Sequence, residues 1–262
     1  MNRVFTAFVL LAVLIPALFF APAFLWALLV ALVAGLAAYE WARISAFPAY
    51  LPMMYGVGMG VMAMIVYLMP EQPHAMLALY ALAALFWVLV APLWLAGRWR
   101  GEGFFVRALT GTLVILPTWA ALVALREHSP WLLLGVLALV WIADSAAYYA
   151  GRRFGRHKLA PQISPGKSWE GVMGAGVALV LYASAISAAI HGLRIPGALI
   201  LAAALLYFSI LGDLFESWMK RVAGVKDSGN LLPGHGGVLD RIDALCAALP
   251  IAAGILHFAK WV

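Results

Sequence analysis

The sequence predicts an all-α, polytopic integral membrane protein, a helical bundle of about nine transmembrane helices with its active site at the cytoplasmic face. Apolar residues make up 66% of the chain and charged residues only 11%, whereas about 25% of the residues of soluble domains are charged. Several stretches of 17 to 21 residues contain no acidic or basic side chain. About 20 such residues cross the hydrocarbon layer as a helix, so the lipid bilayer is a predicted partner.

Nine apolar segments are the predicted spans. In chain order they are 4–20, 22–39, 51–69, 75–96, 108–125, 130–149, 171–190, 196–211 and 242–258. The first two are joined through Ala21 and Pro22 alone, which predicts a tight helical hairpin or a re-entrant element and leaves eight or ten spans open. No polar linker divides the chain. We therefore predict one domain, 1–262, with N-terminal helices in 1–125 and a catalytic part in 130–262.

Charge placement predicts the orientation of these spans. If nine spans alternate, fourteen of the seventeen Lys and Arg residues fall on one side of the membrane. Positively charged loops stay in the cytoplasm. The N-terminus is therefore predicted to be cytoplasmic and the C-terminus outside, in a bacterial-type inner membrane. The net charge of +6 has this topological cause and predicts no nucleic-acid partner, whereas an anionic lipid or nucleotide is compatible with it.

The first of two polar cytoplasmic loops follows the sixth span. Asp144 precedes it inside the apolar run WIADSAAYYAG, and ionisable residues in spans usually mark functional sites; a buried partner for a neighbouring Lys or Arg is the alternative. In SPGKSWEG, Ser164 is predicted to cap a helix that begins at Pro165, with Lys167 in a first turn that suits a phosphate. An ordinary capped interfacial helix fits equally well. The GKS string is not a P-loop, because Pro161 stands where that motif needs a glycine.

The second polar loop is more specific. Four side chains at offsets 0, 3, 4 and 7 share one face of a helix that continues out of the eighth span: Asp213, Glu216, Ser217 and Lys220. Asp240 and Asp243 lie one turn apart at the start of the ninth span, where a helix N-terminus favours anions. Lys226, Asp227 and the turn PGHGG lie between these helices, and the glycines allow the backbone to approach a ligand. A solvated loop with intrahelical salt bridges does not explain four acids on helices leading into apolar spans, so a site is favoured.

These residue types predict a chemistry. Carboxylates without clusters of His or Cys suit a hard cation, above all Mg²⁺, which is commonly held by one or two carboxylates together with substrate phosphates. The single cysteine, Cys246, excludes a multi-cysteine zinc site. Neighbouring Lys and Arg side chains suit a polyphosphate. The combination indicates phosphoryl or nucleotidyl transfer.

The segment 217–243, SWMKRVAGVKDSGNLLPGHGGVLDRID, resembles the signature of the phosphatidate cytidylyltransferases, also called CDP-diacylglycerol synthases. The likeness holds at Ser217, Lys220, Arg221, Lys226, Asp227, Gly229, Leu232, Pro233, His235, Gly236, Gly237, Asp240, Arg241 and Asp243. SPGKSWEG and the segment around Asp144 also resemble this family. The resemblance implies that CTP and phosphatidic acid react to form CDP-diacylglycerol and pyrophosphate, with Mg²⁺ as cofactor.

The resemblance also implies roles for the site residues. Asp213 and Asp240 would hold the metal, with Asp243 or Asp144 completing or supporting its shell. Lys226 and Asp227 join Asp213 and Asp240 as expected catalytic residues. The expected substrate-binding residues are Asp144, Ser164, Lys167, Ser217, Lys220, Arg221, His235, Gly236 and Arg241.

Other classes are weighed against this one. A transporter would place polar residues near the middle of several spans, whereas here, Asp144 apart, they cluster at the cytoplasmic ends. A CDP-alcohol phosphotransferase would carry a DGxxAR-type string, which is absent from the sequence. A kinase or cytidylyltransferase acting on another lipid stays open. Gly56 and Gly60 form a small-xxx-small pair that fits either a homodimer or packing within the chain.

Overall fold

The computed structural model describes residues 2–69, 73–189, 194–232, 234 and 236–258. Ten α-helices and one two-stranded sheet occur in these ranges. They are α1 Asn2–Phe20, α2 Ala23–Ile44, α3 Leu51–Leu68, α4 Pro73–Leu85, α5 Ala91–Ala96, α6 Phe104–His128, α7 Pro130–Phe154, β1 Lys158–Ala160, β2 Ser164–Ser168, α8 Trp169–Ala189, α9 Ile195–Val222 and α10 Leu239–Phe258. A π-helical turn, Phe86–Val90, joins α4 to α5 in one apolar helix, His74–Ala96.

The predicted polytopic helical class is confirmed. Within the described residues each of the nine predicted spans falls on a helix, and seven helices are long and apolar enough to cross a membrane. The remaining two predicted spans correspond to α1 and to α10, which carries three charged residues in its first turns. The last residue of the predicted span 171–190 lies outside the described residues. Only two residues separate α1 from α2, as a tight hairpin requires.

Glycines bring α2 and α3 together. A Cβ added at Gly56 would lie 2.7 Å from the carbonyl oxygen of Gly35, and one at Gly35 would lie 2.9 Å from that of Gly56. The helices therefore approach at distances that only glycine permits. Gly60 faces Ala31 of α2 in the same seam, with 3.4 Å between its added Cβ and the Ala31 oxygen. The small-xxx-small pair is thus used for packing within the chain.

A buried aromatic cluster fixes α9 beside α2 and the π-helical turn. The Phe215 ring stacks on Trp41 with centroids 6.3 Å apart, and it meets Phe86 and Trp87 edge-on at 5.3 and 5.6 Å. One helical turn before Phe215, a Cβ at Gly212 would lie 2.5 Å from the carbonyl oxygen of Asp243. The backbones of α9 and α10 are therefore in close contact at the level of their acidic residues.

The loop after α7 differs from the prediction. β1 and β2 pair antiparallel, with Lys158 opposite Ser168 and Ala160 opposite Ser164. This pairing keeps the chain extended through Ser168, so the predicted helix start at Ser164 and Pro165 is wrong. The cap of α8 is Ser168, whose Oγ accepts a hydrogen bond from the Gly171 amide at 3.2 Å. Lys167 therefore projects from a strand and not from a helical turn.

Candidate active site

The polar residues meet at one end of the bundle. The end of α7, the start of α8, the end of α9 and the start of α10 lie at the same face because successive spans alternate in direction. Asp144 precedes the last residue of α7 by ten positions, which is about 15 Å along a helix. It is exposed despite this depth, and it interacts electrostatically with Lys167 and Asp213. The charged groups of the site therefore extend from this end of the bundle into the apolar part of α7.

Asp213 links α9 to the antiparallel pair of strands β1 and β2. Its Oδ2 lies 2.5 Å from Nζ of Lys167, and its Oδ1 accepts a hydrogen bond from Oγ of Ser217 at 3.1 Å. The Lys167 and Asp213 side chains are 23% and 30% exposed. Both groups are thus accessible to a ligand while already being oriented by protein contacts. Asp144 interacts electrostatically with both members of this pair.

Lys220 lies between two carboxylates in a more enclosed part of the site. Its Nζ is 2.6 Å from Oδ1 of Asp240 and 3.2 Å from Oε1 of Glu216. All three side chains are less than 10% exposed. Within the described residues, Oε1 of Glu216 has Lys220 as its charged partner and Oε2 has no hydrogen-bond donor. Asp243 interacts electrostatically with Glu216, which brings a further carboxylate to this group.

Asp240 ties the loop after α9 to the start of α10. Its Oδ2 accepts hydrogen bonds from the Ser228 and Gly237 amides at 2.9 and 2.8 Å. Gly236, at φ +82°, turns the chain back beside this carboxylate, and a Cβ there would lie 2.7 Å from Oδ2. The same Cβ would be 3.5 Å from Cβ of Asp227. Gly236 thus brings Asp227 and Asp240 to neighbouring positions.

Glu40 is a residue of this region that the sequence predictions missed. It lies on α2, is 1% exposed, and its carboxylate accepts three hydrogen bonds from the loop and from the start of α10. An available signal was its position: it is an acid directly after the predicted span 22–39, and ionisable residues beside apolar spans warrant the same attention as Asp144. Its long separation from the loop in sequence left no spacing to reveal the contact.

The other predicted site residues lie around this cluster. Lys226, Asp227 and Arg241 are exposed. Arg221 is also exposed, and its guanidinium donates hydrogen bonds to the carbonyl oxygens of Ile163 and Val225 at 3.2 and 3.0 Å. Ser164 is three residues from Lys167 in β2, about 10 Å along a strand. His235 lies outside the described residues.

The cluster is predominantly negative. Five carboxylates stand beside two lysines in it: Asp144, Asp213, Glu216, Asp240 and Asp243, with Lys167 and Lys220. The described ranges contain no group of three or more His, Cys, Asp or Glu side chains arranged to hold a metal ion. A cation bound here would therefore complete its shell with other oxygens, as Mg²⁺ does with substrate phosphates. Exposed basic residues at the rim suit those phosphates.

Fold and site together define a polytopic helical membrane protein with an acidic, lysine-containing site at one end of its bundle. The chain belongs to the cytidylyltransferase family, whose profile matches residues 1–259. It is 42% identical to the phosphatidate cytidylyltransferase of Pseudomonas aeruginosa over 99% of this chain and 98% of that protein. It is 38% identical to the phosphatidate cytidylyltransferase of Haemophilus influenzae over 98% of both chains. The resemblance found in the sequence is thereby confirmed.

Proposed function

We propose that this chain transfers the cytidylyl group of CTP to phosphatidic acid, forming CDP-diacylglycerol and pyrophosphate for phospholipid synthesis. The observation that carries the proposal is one charged cluster in which Asp243 interacts with the accessible pair Asp213 and Lys167 and with the buried Lys220. The chain also matches phosphatidate cytidylyltransferases over 98–99% of its length. Carboxylates and basic groups at one membrane face suit a reaction between two phosphorylated substrates.

The proposed reaction is an in-line displacement. A phosphate oxygen of phosphatidic acid attacks the α-phosphorus of CTP and forms the new P–O bond. The bond from that phosphorus to the oxygen bridging to the β-phosphorus breaks, and pyrophosphate leaves with the electron pair. No covalent enzyme intermediate is needed, because the attacking phosphate is already ionised. The chain's contribution is to position the reactants and to neutralise charge on the transferred and leaving groups.

The contacts suggest a division of roles. Lys167 is accessible and is assigned to a phosphate, together with the exposed basic residues Arg221, Lys226 and Arg241. Lys220 is enclosed by Glu216 and Asp240, so we assign it to holding those carboxylates, with an effect on phosphates through them. Ser217 is assigned to orienting Asp213, and Gly236 to leaving space for substrate beside Asp240. Asp144 is assigned to the edge of the site, and Asp227 to a catalytic role in the loop before α10. Ser164 and His235 are assigned to phosphate contacts.

The donor set fits Mg²⁺ as the cofactor. Asp213 is partly exposed, Asp243 of α10 interacts electrostatically with it, and the excess of carboxylates over lysines leaves negative charge for a cation to offset. We propose that Asp213, Asp240 and Asp243 supply one or two of the ligands, with Asp144 in support, and that substrate phosphate oxygens supply the rest. When bound, Mg²⁺ would neutralise phosphate charge and polarise the phosphoryl oxygens.

The proposed location is the cytoplasmic face of a bacterial inner membrane, with the N-terminus in the cytoplasm. Fourteen of the seventeen Lys and Arg residues belong to the same side as the site when the spans alternate. Phosphatidic acid would approach within the inner leaflet and CTP from the cytoplasm. A site at this face is accessible to both substrates, and no nucleic-acid partner is proposed. A homodimer is proposed without support from Gly56 and Gly60, because both glycines pack against α2 of the same chain.

The test is a specificity assay on purified protein. Labelled CTP is incubated with phosphatidic acid, with other phospholipids, and with other nucleotides, each with Mg²⁺ or with a chelator. We expect CDP-diacylglycerol from CTP and phosphatidic acid only, and its loss on chelation. Asp213→Asn should lower kcat by about 10²-fold or more, whereas Glu102→Gln, at an exposed acid outside the cluster, should leave it unchanged. Equal turnover with another lipid, or a fully active Asp213→Asn protein, would contradict the proposal.

A further inference from the structure

Glu40 connects α2 to the two parts of the chain that carry the acidic cluster. Its Oε2 accepts hydrogen bonds from Oγ of Ser228 and from the Leu239 amide, both at 2.8 Å. Its Oε1 accepts one from the Val238 amide at 3.0 Å. One buried carboxylate thus binds the loop after α9 and the first residues of α10 at once.

The start of α10 needs an acceptor from elsewhere in the fold. The first amides of a helix have no partner within the helix, and a side-chain oxygen just before the helix usually satisfies them. The residues before Leu239 are Gly236, Gly237 and Val238, none of which has a side-chain oxygen. Glu40 supplies the oxygen from α2, and its negative charge lies at the positive end of the α10 dipole.

The glycines around Glu40 fit this arrangement. A Cβ at Gly229 would lie 2.5 Å from Oε1 of Glu40, and one at Gly237 would overlap Oε2 of Glu40 and Oγ of Ser228. The sequence predicted that the glycines of the PGHGG turn, Gly237 among them, allow close approach of a ligand. At these two positions the structure shows that the absence of a side chain makes room for the Glu40 carboxylate. Gly229, Gly237, Ser228 and Glu40 therefore form one fitted set.

The end of α2 is itself held in place. Trp41, next to Glu40, is 1% exposed, stacks on Phe215 of α9 and donates a hydrogen bond from Nε1 to the Arg107 carbonyl oxygen at 2.9 Å. Glu40 is therefore attached to a rigid part of the bundle. Its hydrogen bonds transmit that fixed position to Asp240, because Asp240 directly follows Leu239 and accepts the Ser228 amide.

We propose that Glu40 is a positioning residue, which caps α10 from α2 and fixes the loop so that Asp240 and Asp243, at the start of α10, are held in place at the site. The proposal rests on the proposed cytidylyl transfer for its kinetic consequence, and on the hydrogen bonds alone for its structural one. Glu40 acts through Ser228 and the α10 amides and is not assigned any contact with substrate. A displacement of about 1 Å in such a site costs about 10²-fold in rate.

The experiment compares Glu40→Gln with wild type and with the exposed control Glu102→Gln. Glutamine keeps the shape of glutamate, but its NH₂ group cannot accept, so at least one of the three hydrogen bonds is lost. We expect kcat to fall about 10²-fold with KM for CTP changed less than threefold, while the solubilised protein stays folded and monodisperse. Ser228→Ala should lower kcat less. The double variant Glu40→Gln/Ser228→Ala should fall short of the product of the two effects, because both remove one shared contact.

Hydrogen exchange provides a readout that is independent of activity. In Glu40→Gln, amides in 228–240 should exchange at least about tenfold faster, with exchange in α6 unchanged, because the cap is lost locally. Unchanged exchange in 228–240 overturns the positioning role. So does a wild-type kcat in Glu40→Gln, or a fall explained entirely by loss of folded protein. If wild type fails to convert CTP and phosphatidic acid while the loop still loosens in Glu40→Gln, the proposed function fails and the role of Glu40 stands.

Discussion

Comparison of Lys220→Met with Lys167→Met distinguishes the contribution of a buried ion pair to stability from that of an accessible one. Each lysine contacts carboxylates at short distance: Lys220 reaches Asp240 at 2.6 Å and Lys167 reaches Asp213 at 2.5 Å. Distance alone would give the two pairs equal weight. Exposure differs, since the Lys220 and Asp240 side chains are 9% and 6% exposed and the Lys167 and Asp213 side chains 23% and 30%.

The expected magnitudes follow from that difference. Removing one partner of a buried pair leaves an uncompensated charge and costs about 3–5 kcal/mol, and here two carboxylates, Asp240 and Glu216, lose the same lysine. A solvent-accessible pair contributes about 0–1 kcal/mol. At about 2–4 °C per kcal/mol for a chain of this size, Lys220→Met should lower Tm by roughly 6–20 °C and Lys167→Met by about 4 °C at most.

The assay is thermal unfolding of detergent-solubilised protein followed by tryptophan fluorescence, with turnover measured on the same preparations below both transitions. Lys167→Met should melt within about 4 °C of wild type and still lose about 10²-fold in kcat, because its proposed role is a charge-assisted phosphate contact. The reasoning is refuted if Lys220→Met melts within 4 °C of wild type. It is equally refuted if Lys167→Met is the less stable of the two.

Two further predictions concern the backbone of the site. Gly237→Ala should lower kcat by about 10²-fold, because the added Cβ overlaps Oγ of Ser228 and Oε2 of Glu40. Gly176→Ala is the control, since its added Cβ has no atom within 4 Å, and it should leave turnover unchanged. Equal kinetics of the two variants would contradict the packing argument. Ser168→Ala should lower the free energy of unfolding by about 1 kcal/mol through loss of the α8 cap, and Ser164→Ala should leave Tm unchanged in the same melts; the reverse order would restore Ser164 as the cap.

The sequence predicted the helices well because lipid imposes a simple rule. A span must satisfy its backbone hydrogen bonds internally, so an apolar run of sufficient length is a helix. The predicted span 130–149 and the helix Pro130–Phe154 share their first residue, and the predicted extension of the eighth span is present in α9, which continues to Val222. The one wrong element, the helix start at Ser164, depended on a pairing between two short strands. Local capping preference contains no information about such a partner.

In the candidate site, too, the sequence predicted contacts within one helix and did not predict contacts between elements. Periodicity placed Asp213, Glu216, Ser217 and Lys220 on one helix face, and the contacts of Lys220 with Glu216 and of Ser217 with Asp213 agree with it. Contacts between elements had no signal of this kind. Neither the pairing of Lys167 with Asp213 nor that of Lys220 with Asp240 could be read from spacing, because each joins segments whose separation is set by helix packing.

The sequence by itself determined the membrane class, the helices, the family and the two loops that carry the polar residues, since apolar length, helical period and motif spacing are properties of local sequence. Tertiary structure alone decided which charges are buried, which are accessible, and that Glu40 of α2 caps α10. The physical reason is that the strength of a charged contact depends on the water excluded around it. Exclusion of water is decided by helices that are distant in sequence and adjacent in space.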